Sequence, residues 1–270
     1  MNNSTDVEGT RRYYEAIDKP ASSKGNLAAR AWGRARLLLY RIRKDAGINV
    51  FLREKEMQFL GDVTGKRVLE IGAGTGCAVS QHLAKNASYY LAVDLSEPAL
   101  HKLRARFQEW NALNAEAVQM DFLKSTFPYG PFDIVFASSV VRAFHPLETG
   151  IKLVHDRLAP NGLFVLFEPM ETSWPIWCIR HVVRPFRSDR RWNWPLDRRS
   201  FKTIQRYFEI DAVQGFFGHS KWAVPLVVVP FLYTVTIRLV RQLHKLDERV
   251  ATSLGRGVWR CNSVILRLRR

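Results

Sequence analysis

A short apolar run that passes into a glycine-rich loop is the feature that most constrains the fold of this chain. The run and loop read Val68-Leu-Glu-Ile-Gly-Ala-Gly-Thr-Gly76, and a helix is expected to begin near Cys77. Glycine lets a backbone approach a ligand closely, and the N-terminus of the following helix offers free N–H groups. Cys77 stands where the dinucleotide pattern GxGxxG needs its third glycine, and the Gly-Lys-Ser/Thr of a P-loop is absent. The sequence therefore predicts a ligand-binding loop that is neither a dinucleotide-binding GxGxxG loop nor a P-loop.

Apolar runs alternate with stretches of helical periodicity from residue 66 onwards. Such runs are typical of buried parallel strands, and the alternation predicts an α/β fold with a doubly wound, mostly parallel sheet and helices on both faces. A length of 270 residues suits one such domain. Met120-Asp-Phe122 is predicted to end a third strand. The other predicted strands are Arg67–Ile71, Tyr89–Val93, Ile134–Ala137, Leu163–Phe167, Phe208–Phe217 and Val258–Leu268.

Two carboxylates follow the second and third predicted strands. Asp94 ends the second strand, 18 positions after Gly76, where a carboxylate can accept hydrogen bonds from both ribose hydroxyls. Asp121 and Phe122 lie at the end of the third strand, which places a carboxylate and an aromatic ring beside a purine. Because the carboxyl ends of parallel strands meet at one edge of the sheet, the three strand ends together predict an adenosine site.

In their order and spacing these motifs resemble class I S-adenosylmethionine-dependent methyltransferases, particularly the small-molecule and quinone-type group. The resemblance covers about residues 60–170 and rests on VLEIGAGTG, AVDLS, MDF, FDIVFASSVV and RLAPNGLFVLFEP. It implies a Rossmann-like sheet of seven strands, S-adenosylmethionine as the cofactor and no metal. The cofactor-binding residues that it implies are Glu70, Gly72, Ala73, Gly74 and Gly76 in the loop, Asp94 and Leu95 at the ribose, Asp121 and Phe122 at the adenine, Ser138 and Ser139 at the methionine end, and Tyr13 and Tyr14 as an aromatic pair that closes over the cofactor.

The catalytic residues are less sharply indicated. Methyl transfer from a sulfonium is an in-line displacement, so positioning can supply most of the catalysis and a base is optional. Where many relatives carry a histidine pair, this chain has Arg142 at the first position and His145 displaced. His145 is a candidate general base, with a structural loop histidine as the alternative. Arg142 is a candidate to orient an anionic group, with a surface salt bridge as the alternative, and Glu168 after the fifth strand is a second candidate base.

Positive charge is concentrated outside the central region. The net charge is +16, and Lys and Arg outnumber Asp and Glu by 12 to 7 in residues 1–60 and by 19 to 7 in residues 171–270, against 10 to 11 in residues 61–170. Leu27–Lys44 reads as a basic amphipathic helix, and residues 171–200 carry Trp174, Trp177, Trp192 and Trp194 among arginines. This pattern indicates an anionic surface as a partner, either nucleic acid or anionic lipid, although a helix packed on the domain with solvated arginines would show the same pattern.

The predicted organisation has two parts. Residues 1–60 form a basic helical extension that acts as a cofactor lid, and residues 61–270 form the methyltransferase domain. Within it, insertions at 171–200, after the fifth strand, and at 218–257, between the sixth and seventh, cover the substrate or face a membrane. Trp222–Ile237 is uncharged, but two prolines interrupt it and it is shorter than the about 20 residues of a spanning helix. It is read as an interfacial, re-entrant or substrate-covering element or as a buried helix.

These observations lead to a functional prediction with two alternatives. The chain is expected to methylate a hydrophobic or lipid-linked small molecule at a membrane surface. The N-terminus lacks a secretory signal pattern and the three cysteines are far apart, which predicts a cytoplasmic protein, peripheral to the membrane. RNA methylation is one alternative, because interleaved Arg and Trp also suit phosphates and bases, although the Asn/Asp-Pro-Pro-aromatic motif is missing. A non-catalytic cofactor-binding scaffold is the other, and the oligomeric state is left open.

Overall fold

The computed structural model describes residues 27–123, 127–184, 193–229 and 231–270. They form one seven-stranded sheet in the order β3-β2-β1-β4-β5-β7-β6, in which β7 runs antiparallel to both of its neighbours. The strands are β1 Arg67–Ile71, β2 Tyr89–Asp94, β3 Ala115–Gln119, β4 Phe132–Ser138, β5 Leu158–Pro169, β6 Glu209–Phe216 and β7 Ser263–Arg269. The predicted seven-stranded, mostly parallel sheet is confirmed.

The helices connect the strands in the alternating order that the sequence predicts. They are α1 Leu27–Asp45, α2 Ile48–Leu60, α3 Ala78–Asn86, α4 Glu97–Glu109, α5 Leu147–Arg157, α6 Trp174–Val183, α7 Arg198–Gln205, α8 Tyr233–Val250 and the single turn α9 Arg256–Trp259, with 3-10 helices at Val141–Ala143 and Ser220–Val228. Ser96 caps α4 as expected, since its side chain accepts the Ala99 N–H.

The predicted last strand begins too early. Arg256–Trp259 form a helical turn, and β7 starts only at Ser263. Val258 lies in that turn, and its side chain is fully buried in the core. Its apolar character therefore reflects burial rather than a place in the sheet. The start of this prediction was therefore wrong, because burial alone does not distinguish a strand from a buried helical turn.

The two faces of the sheet are covered by separate sets of helices. Successive strand residues point to opposite faces, so Val68 and Tyr90 pack on one side while Leu69 and Leu91 pack on the other. The first side is closed by α2, α3, α4 and α8, and the second by α5 and α7. The core thus lies on both faces, as the predicted doubly wound arrangement requires.

The helical segment that precedes β1 belongs partly to this core. Ile48, Leu52, Glu56 and Leu60 are buried at four-residue spacing along α2. The end of α1 is held by α8, since the Tyr233 hydroxyl donates to Asp45 at 2.5 Å. Residues 48–60 therefore form part of the wall of the domain, and whether the segment before them closes over a ligand stays a prediction.

The uncharged run Trp222–Ile237 is divided as its prolines predict. Its first part lies in the 3-10 helix Ser220–Val228 and its last part begins α8. Ala223 and Ile237 are buried, whereas Trp222 and Phe231 are exposed, so the run belongs partly to the core and partly to the surface. Among the helices in the described ranges, none has both the length and the apolar character needed to cross a bilayer.

His244 on α8 makes the stability of the fold depend on pH. Its ring lies edge-on to Phe51, with centroids 5.0 Å apart, and neither ring nitrogen has a hydrogen-bond partner among the described residues. Burial lowers the pKa of His244 below 6.5, partly opposed by the negative charges of Asp247 and Glu248. The folded protein therefore holds His244 neutral, and stability is lost as the pH falls below about 6.5 because the unfolded chain binds the proton first.

We expect His244→Phe to weaken this loss. The free energy of unfolding, measured by urea denaturation at several pH values between 7.5 and 5, should fall less steeply in the variant than in the wild type. His101→Gln, at an exposed position, is the matched control and should follow the wild type. Equal slopes for wild type and His244→Phe would contradict this account.

Candidate active site

The glycine loop after β1 is shaped by one close contact. Gly72 has a φ of +72°, its N–H donates to the Val93 carbonyl at 2.7 Å, and a Cβ at this position would collide with the side chain of Val140. Gly74 also has a positive φ, of +55°. The loop lies where the strand order reverses between β1 and β4, which is the position at which open α/β sheets bind ligands. Glycine is therefore required here by both backbone conformation and space.

Neighbouring elements hold the loop in place. Arg106 on α4 donates from Nη1 to the carbonyls of Thr75, at 2.8 Å, and Gly76, at 2.9 Å. The Cys77 N–H donates to Ser80 Oγ at 3.0 Å at the start of α3. Arg106 was not predicted as a site residue, because no motif marks a side chain that acts on the loop from another helix.

Asp94 joins the loop to the end of β2. Its Oδ2 accepts the Gly74 N–H and its Oδ1 accepts the Ser96 N–H, both at 2.8 Å. Burial raises the pKa of Asp94, and these backbone N–H groups oppose that rise. Each carboxylate oxygen has two lone pairs, so both oxygens can still accept a hydroxyl proton.

A cavity of about 230 Å³ opens beside this carboxylate at the carboxyl edge of the sheet. Its wall is mainly apolar, with polar groups from the ends of four strands. Among the residues predicted to bind the cofactor, those that line it are Gly72, Gly74, Asp94, Leu95, Asp121, Phe122, Ser138 and Ser139, and the candidate catalytic residue Arg142 lines it too. The structure therefore brings most of the predicted set together. Tyr13 and Tyr14 lie outside the described residues.

Three predicted loop residues do not line the cavity. Glu70 is buried beneath the loop, where it accepts the Tyr90 hydroxyl at 2.5 Å and the Ser80 hydroxyl at 3.1 Å. Burial raises its pKa to about 7. The side chain of Ala73 is buried, and Gly76 packs near Leu103. These residues shape the loop from behind, and their part in binding the cofactor stays a prediction.

One end of the cavity is formed by the turn after β3, where the sequence predicts the adenine to bind. Asp121 Oδ1 accepts the Leu123 N–H at 3.0 Å, which fixes this turn. The ring of Phe122 lies among other aromatic rings, 5.7 Å from Phe127 and 6.0 Å from Phe144 between centroids. Phe122 thus forms a wall of the cavity from within the core.

The other end of the cavity is linked to helix α2. Ser138 Oγ donates to Glu56 Oε1 at 2.9 Å, and Arg53 donates to Glu56 Oε2 at 2.6 Å. Burial raises the pKa of Glu56, and the positive charge of Arg53 opposes that rise. Neither residue was predicted, although the sequence held a detectable signal: Glu56 is the one carboxylate in a stripe of otherwise apolar residues at four-residue spacing, and a buried charge needs a partner.

His145 is placed differently from the prediction. The 3-10 turn Val141–Ala143 and the buried ring of Phe144 leave His145 exposed, where it stacks on Trp194 with centroids 5.5 Å apart. It is not among the residues that line the cavity. The structure therefore gives His145 no position from which to act as a base at this cavity.

Glu168 is also placed differently from the prediction. It is fully buried, and its Oε1 accepts the N–H groups of Val140 at 2.6 Å and Val141 at 2.5 Å. Burial raises its pKa to about 7, opposed by the positive charge of Arg142 and by the backbone N–H groups. Glu168 lies beneath the segment that lines the cavity rather than in it, so its geometry is that of a positioning residue.

Comparison with known proteins agrees with this site. Residues 69–164 match the family model of a methyltransferase domain. The fold is similar to an S-adenosylmethionine-dependent methyltransferase from Mesorhizobium loti, with a TM-score of 0.54 and 21% identity over 80% of this chain and 96% of that one. It is also similar to the N-methyltransferase NodS from Bradyrhizobium japonicum in complex with S-adenosyl-l-homocysteine, with a TM-score of 0.51 and 14% identity over 81% and 86% of the two chains.

A curated relative is far longer than this chain. The polyketide synthase-nonribosomal peptide synthetase ffsA of Aspergillus flavipes is 31% identical over 123 residues, which are 43% of this chain and 3% of the relative. The chain thus spans a small fraction of the length of the curated relatives that it matches.

Residues 69–164 match a methyltransferase domain, and the fold and the glycine loop support its assignment to the class I S-adenosylmethionine-dependent methyltransferases. The predicted cofactor is likewise confirmed. The cavity fits it, because Gly74 leaves room for a close approach, Asp94 retains acceptor capacity, and the remaining wall is mainly apolar. When bound, S-adenosylmethionine supplies an electrophilic methyl group on a sulfonium.

Asp94→Ala is expected to weaken the binding of S-adenosylhomocysteine by about 10- to 100-fold, because hydrogen bonds to a charged group contribute about 1.5–3 kcal/mol. Isothermal titration calorimetry measures the affinity. The affinity of Asp94→Asn, which keeps one carbonyl oxygen, should lie between those of the wild type and Asp94→Ala. Glu97→Gln, three positions away in an exposed ion pair with Arg104, is the control and should bind like the wild type. Unchanged affinity in a folded Asp94→Ala protein would remove the ribose assignment.

The substitution Glu168→Gln distinguishes a positioning role of Glu168 from a role as a catalytic base. The amide oxygen can still accept both N–H groups, so the variant should keep its affinity for S-adenosylhomocysteine, whereas Glu168→Ala leaves two buried donors unpaired at about 1–3 kcal/mol each. Because the folded pKa of about 7 lies above the ordinary 4.5, wild-type stability relative to Glu168→Gln should decline as the pH rises from 4.5 to about 7. Thermal unfolding and calorimetry test both points, and equal damage from Gln and Ala would contradict the positioning role.

Proposed function

We propose that this methyltransferase methylates a hydrophobic or lipid-linked small molecule at the cytoplasmic face of an anionic membrane. The observation that carries the proposal is a group of exposed tryptophans at the edge of the sheet where the cofactor cavity opens. Trp174 is 75% exposed and Trp222 is 59% exposed, and they follow β5 and β6 respectively. Large exposed aromatic side chains that lie together are typical of contact with apolar partners or with the membrane interface.

Exposed apolar and basic side chains occur together on α1 and at the start of α8. Leu37 and Tyr40 are exposed on α1 beside exposed Arg41, and Phe231, which is 99% exposed, and Val235 lie around the start of α8. The end of α1 and the start of α8 touch through the hydrogen bond between Tyr233 and Asp45. An apolar surface with arginines beside it favours an anionic lipid surface.

A small-molecule acceptor is further supported by the relatives, several of which are named as polyketide synthases. The acceptor side of the site is expected to include Arg142, which lines the cofactor cavity from the turn after β4. A guanidinium at this place can orient a carboxylate or phosphate of the acceptor.

The cavity favours catalysis by positioning. Among the described residues that line it, the ionisable side chains are Asp94, Asp121 and Arg142, and both carboxylates accept backbone hydrogen bonds. An arginine stays protonated and a carboxylate is a weak base, so no side chain in this lining acts as a strong base near neutral pH. We infer that the protein holds the acceptor atom in line with the methyl group and that proximity supplies most of the acceleration.

Methyl-labelled S-adenosylmethionine tests the proposal. The protein is incubated with it and a whole-cell extract of its source, and the label is partitioned among organic, aqueous and RNA fractions. We expect label in the organic fraction, and the amount of that label should be strongly reduced with the Asp94→Ala variant.

Two other outcomes would overturn the proposal. Label only in RNA would make the enzyme an RNA methyltransferase, with its arginines contacting phosphates. No label in any fraction from a protein that binds S-adenosylhomocysteine would favour a non-catalytic scaffold.

A further inference from the structure

A second cavity lies at the same edge of the sheet as the cofactor cavity. It has a volume of about 430 Å³ and is enclosed by the segments that follow β5 and β6 and by the segment that precedes β7. Because β7 is antiparallel, its first residues lie at the carboxyl end of β5 and β6. Four of the residues that line this cavity carry basic side chains that are formally positive: Arg198, Lys221, Arg256 and Arg260. We call it the basic cavity.

The basic side chains of this cavity have no ion-pair partner within the described part of the chain, although the charge of nearby Asp247 acts on Lys221. No carboxylate lines it, and none forms an ion pair with these four side chains among the described residues. Lys221 Nζ donates to three neutral oxygens, which include Ser173 Oγ at 2.8 Å and Asn262 Oδ1 at 3.3 Å. These three bonds use all the N–H donors of the ammonium, so Lys221 is held in place and contributes its charge, rather than a hydrogen bond, to a bound anion.

The nearby carboxylate of Asp247 is already saturated. It is buried and accepts the N–H groups of Gly218 at 3.0 Å, His219 at 2.6 Å and Ser220 at 3.1 Å, together with the Ser220 hydroxyl. His219 Nδ1 lies 2.8 Å from the same carboxylate. Asp247 thus fixes the turn after β6, which carries Lys221 into the basic cavity.

A polar group in the lining also lacks a partner. Thr172 lines the basic cavity, and its buried Oγ1 has no hydrogen-bond partner within the described ranges. This hydroxyl is shielded from solvent and so lies behind the surface of the cavity. The four basic side chains without an ion-pair partner in the ranges that the structure describes are what point to a ligand with several acceptor oxygens.

Three tryptophans give the basic cavity an apolar wall. Trp174 and Trp222 are exposed, and Trp259 packs edge-on against Phe201 with ring centroids 4.9 Å apart. The Arg198 guanidinium lies 5.5 Å from the centroid of Trp259. Aromatic faces beside guanidinium groups suit a molecule that is anionic at one end and apolar beyond it.

We propose that the basic cavity binds the phosphate of an anionic lipid head group, with the tryptophans against the apolar part that adjoins it. The inference deepens and rests on the proposed function, since it identifies the part of the protein that contacts the membrane. It also explains the placement of the two cavities, because a head group bound here would set the edge with the cofactor cavity against the lipid surface that holds the acceptor.

The test uses the full chain and dihexanoyl phosphatidic acid below its micellar concentration, titrated by calorimetry, with inorganic phosphate as the comparison. We expect saturable binding that is at least about tenfold tighter than that of inorganic phosphate, since the tryptophans contact the acyl chains. Arg256→Gln with Arg260→Gln should weaken it by about tenfold or more. Trp222→Ser should weaken phosphatidate binding and leave inorganic phosphate unchanged.

The matched control is Lys245→Gln with Arg249→Gln, which removes the same charge from exposed positions of α8 outside the basic cavity. Equal weakening in the control pair would show a general surface charge effect and overturn the inference. Phosphatidate binding no tighter than inorganic phosphate would also overturn it. Thermal unfolding and S-adenosylhomocysteine affinity establish that each variant is folded and should match the wild type.

The two proposals can fail separately. Label in the organic fraction together with no saturable phosphatidate binding would overturn this inference and leave the proposed function in place. Phosphatidate binding that depends on Arg256 and Arg260, together with label only in RNA, would overturn the proposed acceptor and keep the lipid site.

Discussion

The contact between the Gly72 backbone and the Val140 side chain is the constraint on which the site depends. It joins the end of β1 to the residues just after β4, at the point where the sheet order reverses. A side chain on Gly72 would push these two strand ends apart, and the cavity between them would lose its shape. Everything else around the cavity supports this contact from one side or the other.

Two buried glutamates provide that support from beneath the loops. Glu70 accepts hydroxyl groups of Tyr90 and Ser80 under the glycine loop, and Glu168 accepts the N–H groups that flank Val140. Both pKa values are raised to about 7 by burial. A perturbed pKa often marks a catalytic group, but structural hydrogen-bond networks perturb pKa values as well. Here the geometry decides, because both carboxyls face backbone or hydroxyl donors rather than the cavity.

The two halves of this edge of the sheet carry side chains of different chemical character. The half formed by β1 to β4 carries the glycine loop, Asp94 and a mainly apolar cavity. The half formed by β5, β7 and β6 carries arginines, Lys221 and three tryptophans. Because the parallel strands end, and the antiparallel β7 begins, at this one edge, a molecule bound in one half lies beside the other. A single sheet can therefore bind its cofactor and contact a partner surface without a separate domain.

The sequence by itself determined the strands β1 and β2, the glycine loop and the place of Asp94. Those features are local: buried strands need apolar runs, and the left-handed turns at Gly72 and Gly74 need glycine. The tertiary structure decided that Glu70 and Glu168 lie beneath the site, that His145 stacks on Trp194, and that Arg53, Glu56 and Arg106 act on it. It also gathered the basic cavity from segments that begin at Thr172 and end at Arg260. The reason is physical, since hydrogen-bond partners and burial depend on chain segments that are distant in sequence, and no local pattern records which of them will meet.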